Sequence, residues 1–249
     1  MRRNPSAELL DSGLLGQDEI RSNLEDLWRI NRYLGGVSGC LHLLACAVRR
    51  TGRRGLRVLE VGAGDGRVAG RVRQILCRRG IQADFFTLDR RLTHVQLGRP
   101  GPGGIHSVVG NALTLPFKEG SFDLVTCNLL LHHFSGPEAV GLLAALGSVA
   151  SQAVLINDIE RHWVPFLVFR ATSWLWCSNV SRLDGLASLR QAYIGSELEQ
   201  LASAAGFDDF EVHRIVPFRL GLVLWRNKPL HCRPAPRRMS PRPQETTHE

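Results

Sequence analysis

The sequence predicts an α/β fold on an open, mostly parallel sheet, and three observations predict it. Residues 56–67, LRVLEVGAGDGR, join an apolar run with the length and branching of a buried parallel strand to a glycine-rich turn, and a helical pattern follows at once in Val68, Ala69, Val72, Ile75 and Leu76. Further apolar runs at residues 81–88, 105–109, 122–128 and 153–157 are separated mostly by helical patterns, the order of a parallel α/β sheet. A chain of 249 residues is long enough for one such domain with a full core and a small addition, and it contains no internal repeat.

The elements follow in order. Residues 1–18 are expected to be disordered. Residues 19–36 set Ile20, Leu24, Leu27, Trp28, Ile30 and Leu34 at helical spacing, and Gly35-Gly36 ends that helix. A second apolar helix is expected over 37–50. Both helices precede the first strand, where they cover either one face of the sheet or the mouth of a ligand site; Asn31 and Tyr33 are their polar pocket candidates. A Gly/Pro-rich loop over 98–104 leads to the third strand, and a helix over 137–150 leads to the fifth. Residues 163–180, rich in Trp and Phe, have helical length and read equally as a roof over a substrate or as a helix packed on the core. As a roof, Trp163, Phe166, Phe169, Arg170 and Trp174 would supply an apolar lining with one cation. Residues 181–193 read as an unusually polar connection, and residues 195–205 as a helix. Two strands, 206–215 and 219–225, finish the domain, and residues 227–249 read as a disordered basic tail.

Strand, glycine turn and helix set backbone N–H groups against a ligand at the strand's C-terminal end. A dinucleotide fingerprint, G-x-G-x-x-G, would need glycine at position 67, which is Arg67. The chain has E-x-G-x-G-x-G instead, and a Glu60 carboxylate suits a cationic or hydrogen-bond-donating group and repels a pyrophosphate. Asp89 closes the second strand about twenty residues past the glycines, where a carboxylate accepts from both hydroxyls of a ribose. Alternatively it caps a helix starting at Arg90. Nicotinamide and adenosylmethionine ligands both carry that ribose.

Two further segments choose between them. Residues 110–117, GNALTLPF, are similar to the G-D-A-x-x-L-P-F segment of class I S-adenosylmethionine-dependent methyltransferases, and residues 122–134, FDLVTCNLLLHHF, resemble their fourth-strand motif. The glycine turn resembles their motif I. The resemblance spans about residues 19–226 and implies an α/β, Rossmann-like sheet of seven strands, mostly parallel with an antiparallel last strand and helices on both faces. It implies an N-terminal helical cap over 19–52 and a helical insertion after strand 5 forming a substrate roof over 158–193. The implied cofactor is S-adenosyl-L-methionine. Glu60 would lie near its methionine amino group, and Gly62, Ala63, Gly64 and Gly66 would form the turn it approaches. Asp89 would hold the ribose, Asn111 and Ala112 would meet adenine, and Asn128 and Leu129 would line the methionine end. Asn111 stands where the family has an acid, so that contact loses its charge assistance.

The fourth-strand motif resembles especially that of quinone-biosynthesis methyltransferases, and the block NDIER…SRLDGLASLRQAY…LEQLASAAGF resembles bacterial methyltransferases of phenolic or polyketide-like metabolites. That similarity implies a small, mainly apolar acceptor, with a phenolic hydroxyl of a secondary metabolite first. Transfer to a ring carbon of a quinone-type acceptor and a nonmethylating cofactor-binding protein are the alternatives. A neutral imidazole of His132 or His133 can take a proton from a phenol. An activated sulfonium methyl can also be transferred by positioning alone, which leaves these histidines as pocket-lining residues. The candidate acceptor residues are Tyr33, Asp158, Arg161, Trp163, Phe166, Arg170 and Tyr193.

Composition narrows the partners. The net charge is +8 and nearly all basic residues are Arg, but no helix interleaves a basic face with aromatics, and no N/D-P-P-Y or P-C loop follows the fourth strand. A nucleic-acid partner is therefore not expected. The six cysteines include no C-x-x-C pair, which argues against a disulfide or zinc framework and for no metal. Residues 163–177, the longest apolar stretch, are too short to span a bilayer and contain Arg170. With no signal-peptide pattern at the N-terminus, a cytoplasmic enzyme is expected, peripheral membrane contact of that stretch staying open. The sequence carries no signal for oligomeric state.

Overall fold

Alternation within the first strand sets the layers of the molecule. In the computed structural model, which describes residues 1–6, 8–98 and 105–226, β1 (Gly55–Val61) turns Leu56 and Val58 to one face of the sheet and Leu59 and Val61 to the other. The first face packs Phe85, Leu124 and Leu155 under α3 (Gly36–Thr51) and α4 (Arg67–Arg78). The second packs Val125, Cys127 and Ile156 under α6 (Pro137–Val149) and α9 (Gly195–Ala204). Strands buried on both faces read as continuous apolar runs, which is why they stood out in the sequence.

The sheet has seven strands in the order β3 (Ile105–Val109), β2 (Gln82–Asp89), β1, β4 (Phe122–Asn128), β5 (Ala150–Ile159), β7 (Arg219–Trp225), β6 (Phe210–Ile215). Strand β7 is antiparallel to both neighbours, and every other pairing is parallel. The chain leaves β1 toward β2 on one side and reaches β4 on the other, so a crevice opens at their C-terminal ends, where open α/β sheets bind ligands. The seven-stranded Rossmann-like fold is as expected.

Three expectations need correction. Residues 181–193 are not a connection: they belong to α8 (Asn179–Gln191), which follows α7 (Trp163–Thr172) and a single turn at Ser173–Leu175. Ser178 caps α8, its Oγ accepting from Ser181 N at 3.2 Å. The polarity that suggested a loop is a stripe of buried Ser181, Asp184 and Gln191 and half-buried Ser188, at spacings of three and four residues along the helix.

Asp184, Ser188 and Gln191 of that stripe are satisfied by the N-terminal segment, which is expected from the sequence to be disordered. The N–H groups of Leu9 and Leu10, in the one-turn α1 (Leu9–Ser12), donate to the two Asp184 oxygens at 2.7 and 2.9 Å. Ser6 N donates to Gln191 Oε1. Arg3 lies over the Tyr193 ring and donates to the carbonyls of Gln191, His132 and Phe134 and to Ser135 Oγ. The fifth strand is also longer than its apolar run, extending through Asp158 to Ile159. No helix among the described residues is long and apolar enough to cross a membrane. The tail expected over 227–249 lies outside the described residues, as does most of the loop expected over 98–104.

Candidate active site

A cavity of about 780 Å³ occupies the crevice, within the range of small-ligand sites. Its floor is the glycine turn. Gly62, Gly64 and Gly66 all have positive φ, conformations that side chains rarely adopt. A Cβ on Gly62 would stand 2.8 Å from Leu130 Cδ2, so the turn also needs glycine for space. Gly62 N and Ala63 N donate to Leu88 O, and Gly64 N donates to Asp89 Oδ2 at 2.8 Å, tying the turn to the end of β2. The other Asp89 oxygen accepts from Arg91 N at 2.9 Å and lies 3.3 Å from His94 Nδ1. Asp89 therefore closes a turn onto Arg91, the residue ahead of α5 (Leu92–Leu97), and still lines the cavity.

Below the turn is a buried polar relay. Glu60 Oε1 accepts from Asn128 Nδ2 at 2.8 Å, and Asn128 Oδ1 accepts from Asn157 Nδ2 at 2.9 Å and from the Cys40 thiol. Glu60 Oε2 is buried with no hydrogen-bond partner among the described residues. Burial, partly offset by the Asn128 bond, pushes the Glu60 carboxyl up to about 7. Such an orphaned acceptor beside a glycine turn suits an ammonium group. Leu129, at the turn out of β4, has φ 50, a strained value for a branched side chain, and lines the same wall.

Of the expected cofactor residues, Glu60, Gly62, Ala63, Gly64, Asp89, Asn111, Ala112, Asn128 and Leu129 all line the cavity. Gly66 does not; it caps α4 beneath the turn. Asn111 Oδ1 is engaged by Leu113 N at 3.0 Å, so its amide oxygen first closes a local turn.

The acceptor half differs from the sequence reading. His132 and His133 both line the cavity with stacked rings. His132 Nδ1 donates to Asp158 Oδ1 at 2.7 Å, and its Nε2 faces Glu8 Oε1 at 3.6 Å. Burial opposes charge on this ring, but Asp158 and Glu8 outweigh it and hold the imidazole up to about 10. The balance favours the imidazolium at neutral pH, a form without a free proton-accepting nitrogen. Burial raises the Glu8 carboxyl, yet the facing His132 and His133 hold it below its ordinary value. Glu8 also accepts from Ser188 Oγ and from Gln191 Nε2.

None of the seven candidate acceptor residues lines the cavity. Tyr33, Trp163 and Arg170 are exposed, because the last turn of α2 (Gln17–Tyr33) and the outer side of α7 face away. Phe166 lies under the Arg190 guanidinium. Asp158 sits behind His132, Arg161 pairs with Glu197 at 2.8 Å, and the Tyr193 hydroxyl donates to Phe134 O at 2.6 Å. The lining comes from neighbours one helical step away: Pro165, Val168, Phe169 and Thr172 of α7, Trp176, Leu189, and Leu27, Trp28 and Asn31 of α2. Asn31 is where the sequence placed it. Glu8 and Arg219 were missed: a lone Glu in a segment read as disordered and a single Arg at the start of a strand carry no local signal.

Known proteins resemble this chain in sequence and in fold. Residues 59–148 match the methyltransferase domain family, a span from β1 through α6. The chain is 30% identical over 140 residues to ribosomal protein L11 methyltransferase of Sinorhizobium fredii, covering 52% of this chain and 44% of that protein. It is 24% identical over 163 residues to an uncharacterized methyltransferase of Schizosaccharomyces pombe, covering 64% and 63%. The chain thus spans about half to two thirds of the length of these relatives. Among solved structures, the plantazolicin methyltransferase BpumL bound to SAH superposes with a TM-score of 0.63 at 14% identity, over 85% of this chain and 90% of that one. Human N-acetylserotonin methyltransferase bound to SAM gives 0.62 at 15% identity, over 90% and 61%.

The described chain has the fold of these solved methyltransferases. Residues 59–148 match a methyltransferase domain, and the two solved methyltransferases the chain superposes on hold S-adenosylmethionine or S-adenosylhomocysteine.

Proposed function

We propose that this chain transfers the sulfonium methyl of S-adenosylmethionine to a small, mainly apolar acceptor, a phenolic oxygen being the preferred class. The observation that carries the reading is the continuity of one cavity from the glycine turn, with its orphaned Glu60 oxygen, to the apolar chamber under α7 and α8. The bound cofactor supplies an electrophilic methyl on a charged sulfur. Glu60, its other oxygen fixed by Asn128, would hold the methionine ammonium, Asp89 would spend its remaining lone pairs on the ribose hydroxyls, and Ala112 and Asn111 would border the adenine. Trp28, Phe169 and Trp176 exclude water from the acceptor and turn its oxygen toward the methyl. With His132 held protonated, His133 is the histidine left to take the acceptor's proton.

Turnover of S-adenosylmethionine with a panel of phenols and quinols tests the proposal, and product mass and proton spectra separate oxygen from carbon transfer. The apolar chamber also favours a quinone-type ring carbon as acceptor, and those spectra decide between the two. Cofactor binding with no turnover on any member would sink the enzymatic reading. A His133→Ala variant that keeps the wild-type pH–rate profile would remove His133 as the base.

A further inference from the structure

Arg219, the first residue of β7, carries a donor that the fold leaves unspent. The residue is 1% exposed. Its Nε donates to Leu34 O at 2.6 Å and its Nη2 to Asn31 Oδ1 at 3.3 Å, both at the end of α2. Nη1 is buried and has no hydrogen-bond partner among the described residues, and the side chain lines the cavity beside Ile159 and Phe218. Gly35 makes room for it, since a Cβ there would stand 2.9 Å from Arg219 Cδ. Asp158 and Cys40 are the titratable groups whose fields reach the guanidinium. Asp158 spends its oxygens on His132 and on Ile159 N. The Cys40 thiol is pushed up to about 12, chiefly by burial, and stays neutral. Burial pulls Arg219 itself down to about 10, which still leaves it charged at neutral pH. A buried cation with an unpaired N–H is an arrangement that an anionic oxygen relieves with a charge-assisted bond.

We propose that Nη1 of Arg219 binds an acidic oxygen of the acceptor, so that this site selects acceptors by charge as well as by apolar shape. The ligand class is a small ring compound carrying a phenolate, enolate or carboxylate oxygen. The proposal rests on the methyltransferase reading above and sharpens it. The cation that the sequence sought on the roof at Arg170 comes instead from the start of β7, held by Leu34 O and Asn31 Oδ1.

The test uses the full chain with S-adenosylhomocysteine and two probes. One is 4-nitrophenol, whose ionisation is visible in its absorption. The other is 4-nitroanisole, its neutral methyl ether. Wild type should bind 4-nitrophenol about tenfold tighter than the ether at neutral pH and keep it as phenolate about one pH unit lower than free solution does. Asn31→Asp sets a carboxylate against Nη2 at constant side-chain size and should abolish most of both effects. Arg219→Met should do the same, and if it fails to fold, Asn31→Asp carries the test alone. Equal binding of the probes, no binding of 4-nitrophenol, or a spectral shift unchanged in Asn31→Asp would overturn the proposal. A large loss of S-adenosylhomocysteine affinity in the Arg219 variant would also overturn it, by assigning Nη1 to the cofactor's carboxylate. Failure of wild type to bind S-adenosylhomocysteine is the separate result that would sink the methyltransferase reading.

Discussion

Lowering the pH from 8 to 6 should weaken S-adenosylhomocysteine binding to the wild-type protein about tenfold and leave Glu60→Gln nearly unchanged. Burial pushes the Glu60 carboxyl up to about 7. It is therefore about 90% ionised at pH 8 and about 10% at pH 6, and only the carboxylate attracts the ligand's ammonium strongly. The sign in the empty protein runs the other way. A carboxyl held above its ordinary 4.5 contributes stability that is present below 4.5 and lost as the pH rises through about 7. Ligand-induced thermal stabilisation should thus grow across that same window. Calorimetry in two buffers of different ionisation heat gives the proton count directly, and near pH 7 binding should release about half a proton. Zero release, or the same pH slope in Glu60→Gln, would refute the assignment of the ammonium to this carboxylate.

Three other outcomes follow from the site. Asp89→Ala should cost at least about tenfold in S-adenosylhomocysteine affinity by calorimetry, from the lost ribose bonds and a loosened Gly64 turn; unchanged affinity would end the ribose assignment. His132→Ala leaves Asp158 buried and unpaired, and denaturant titration at neutral pH should show a loss of about 3–5 kcal/mol. Because the folded-state pKa of His132 lies near 10, its contribution is full below 6.5 and fades as pH rises toward 10, so the gap between wild type and variant should narrow over that range, and a constant gap would count against the imidazolium. Arg3→Ala should release the N-terminal segment, raising amide exchange at Leu9 and Leu10 and the acceptor KM while leaving S-adenosylhomocysteine affinity unchanged; protection equal to wild type would show that Arg3 is not what anchors it.

The cofactor half was legible because its chemistry is local. The E-x-G-x-G-x-G turn, Asp89 and the residues after β4 each lie within a few positions of a strand end, and parallel pairing brings those ends together. The acceptor half depends on which side of α7 and α8 faces inward. An apolar helix such as α7, with no fully buried residue, gives no periodic signal to decide that. Hence Trp163, Phe166 and Trp174 were chosen beside Phe169, where only Phe169 of these lines the wall, together with Pro165 and Val168. The polar stripe of α8 was misread for a related reason: its partners are more than 170 residues away, in a segment whose composition suggested disorder. Asp158 and Arg161 were correctly sensed as unusual, but their charges are spent on His132 and Glu197.

The Glu8 carboxylate, packed between α8 and the two histidines, has a practical side. An affinity tag fused ahead of Arg3, or an expression start a few codons downstream, would alter the wall of the acceptor chamber and leave the cofactor cradle intact. Such a preparation would bind S-adenosylhomocysteine normally and could be mistaken for an inactive enzyme, or for one offered the wrong acceptor.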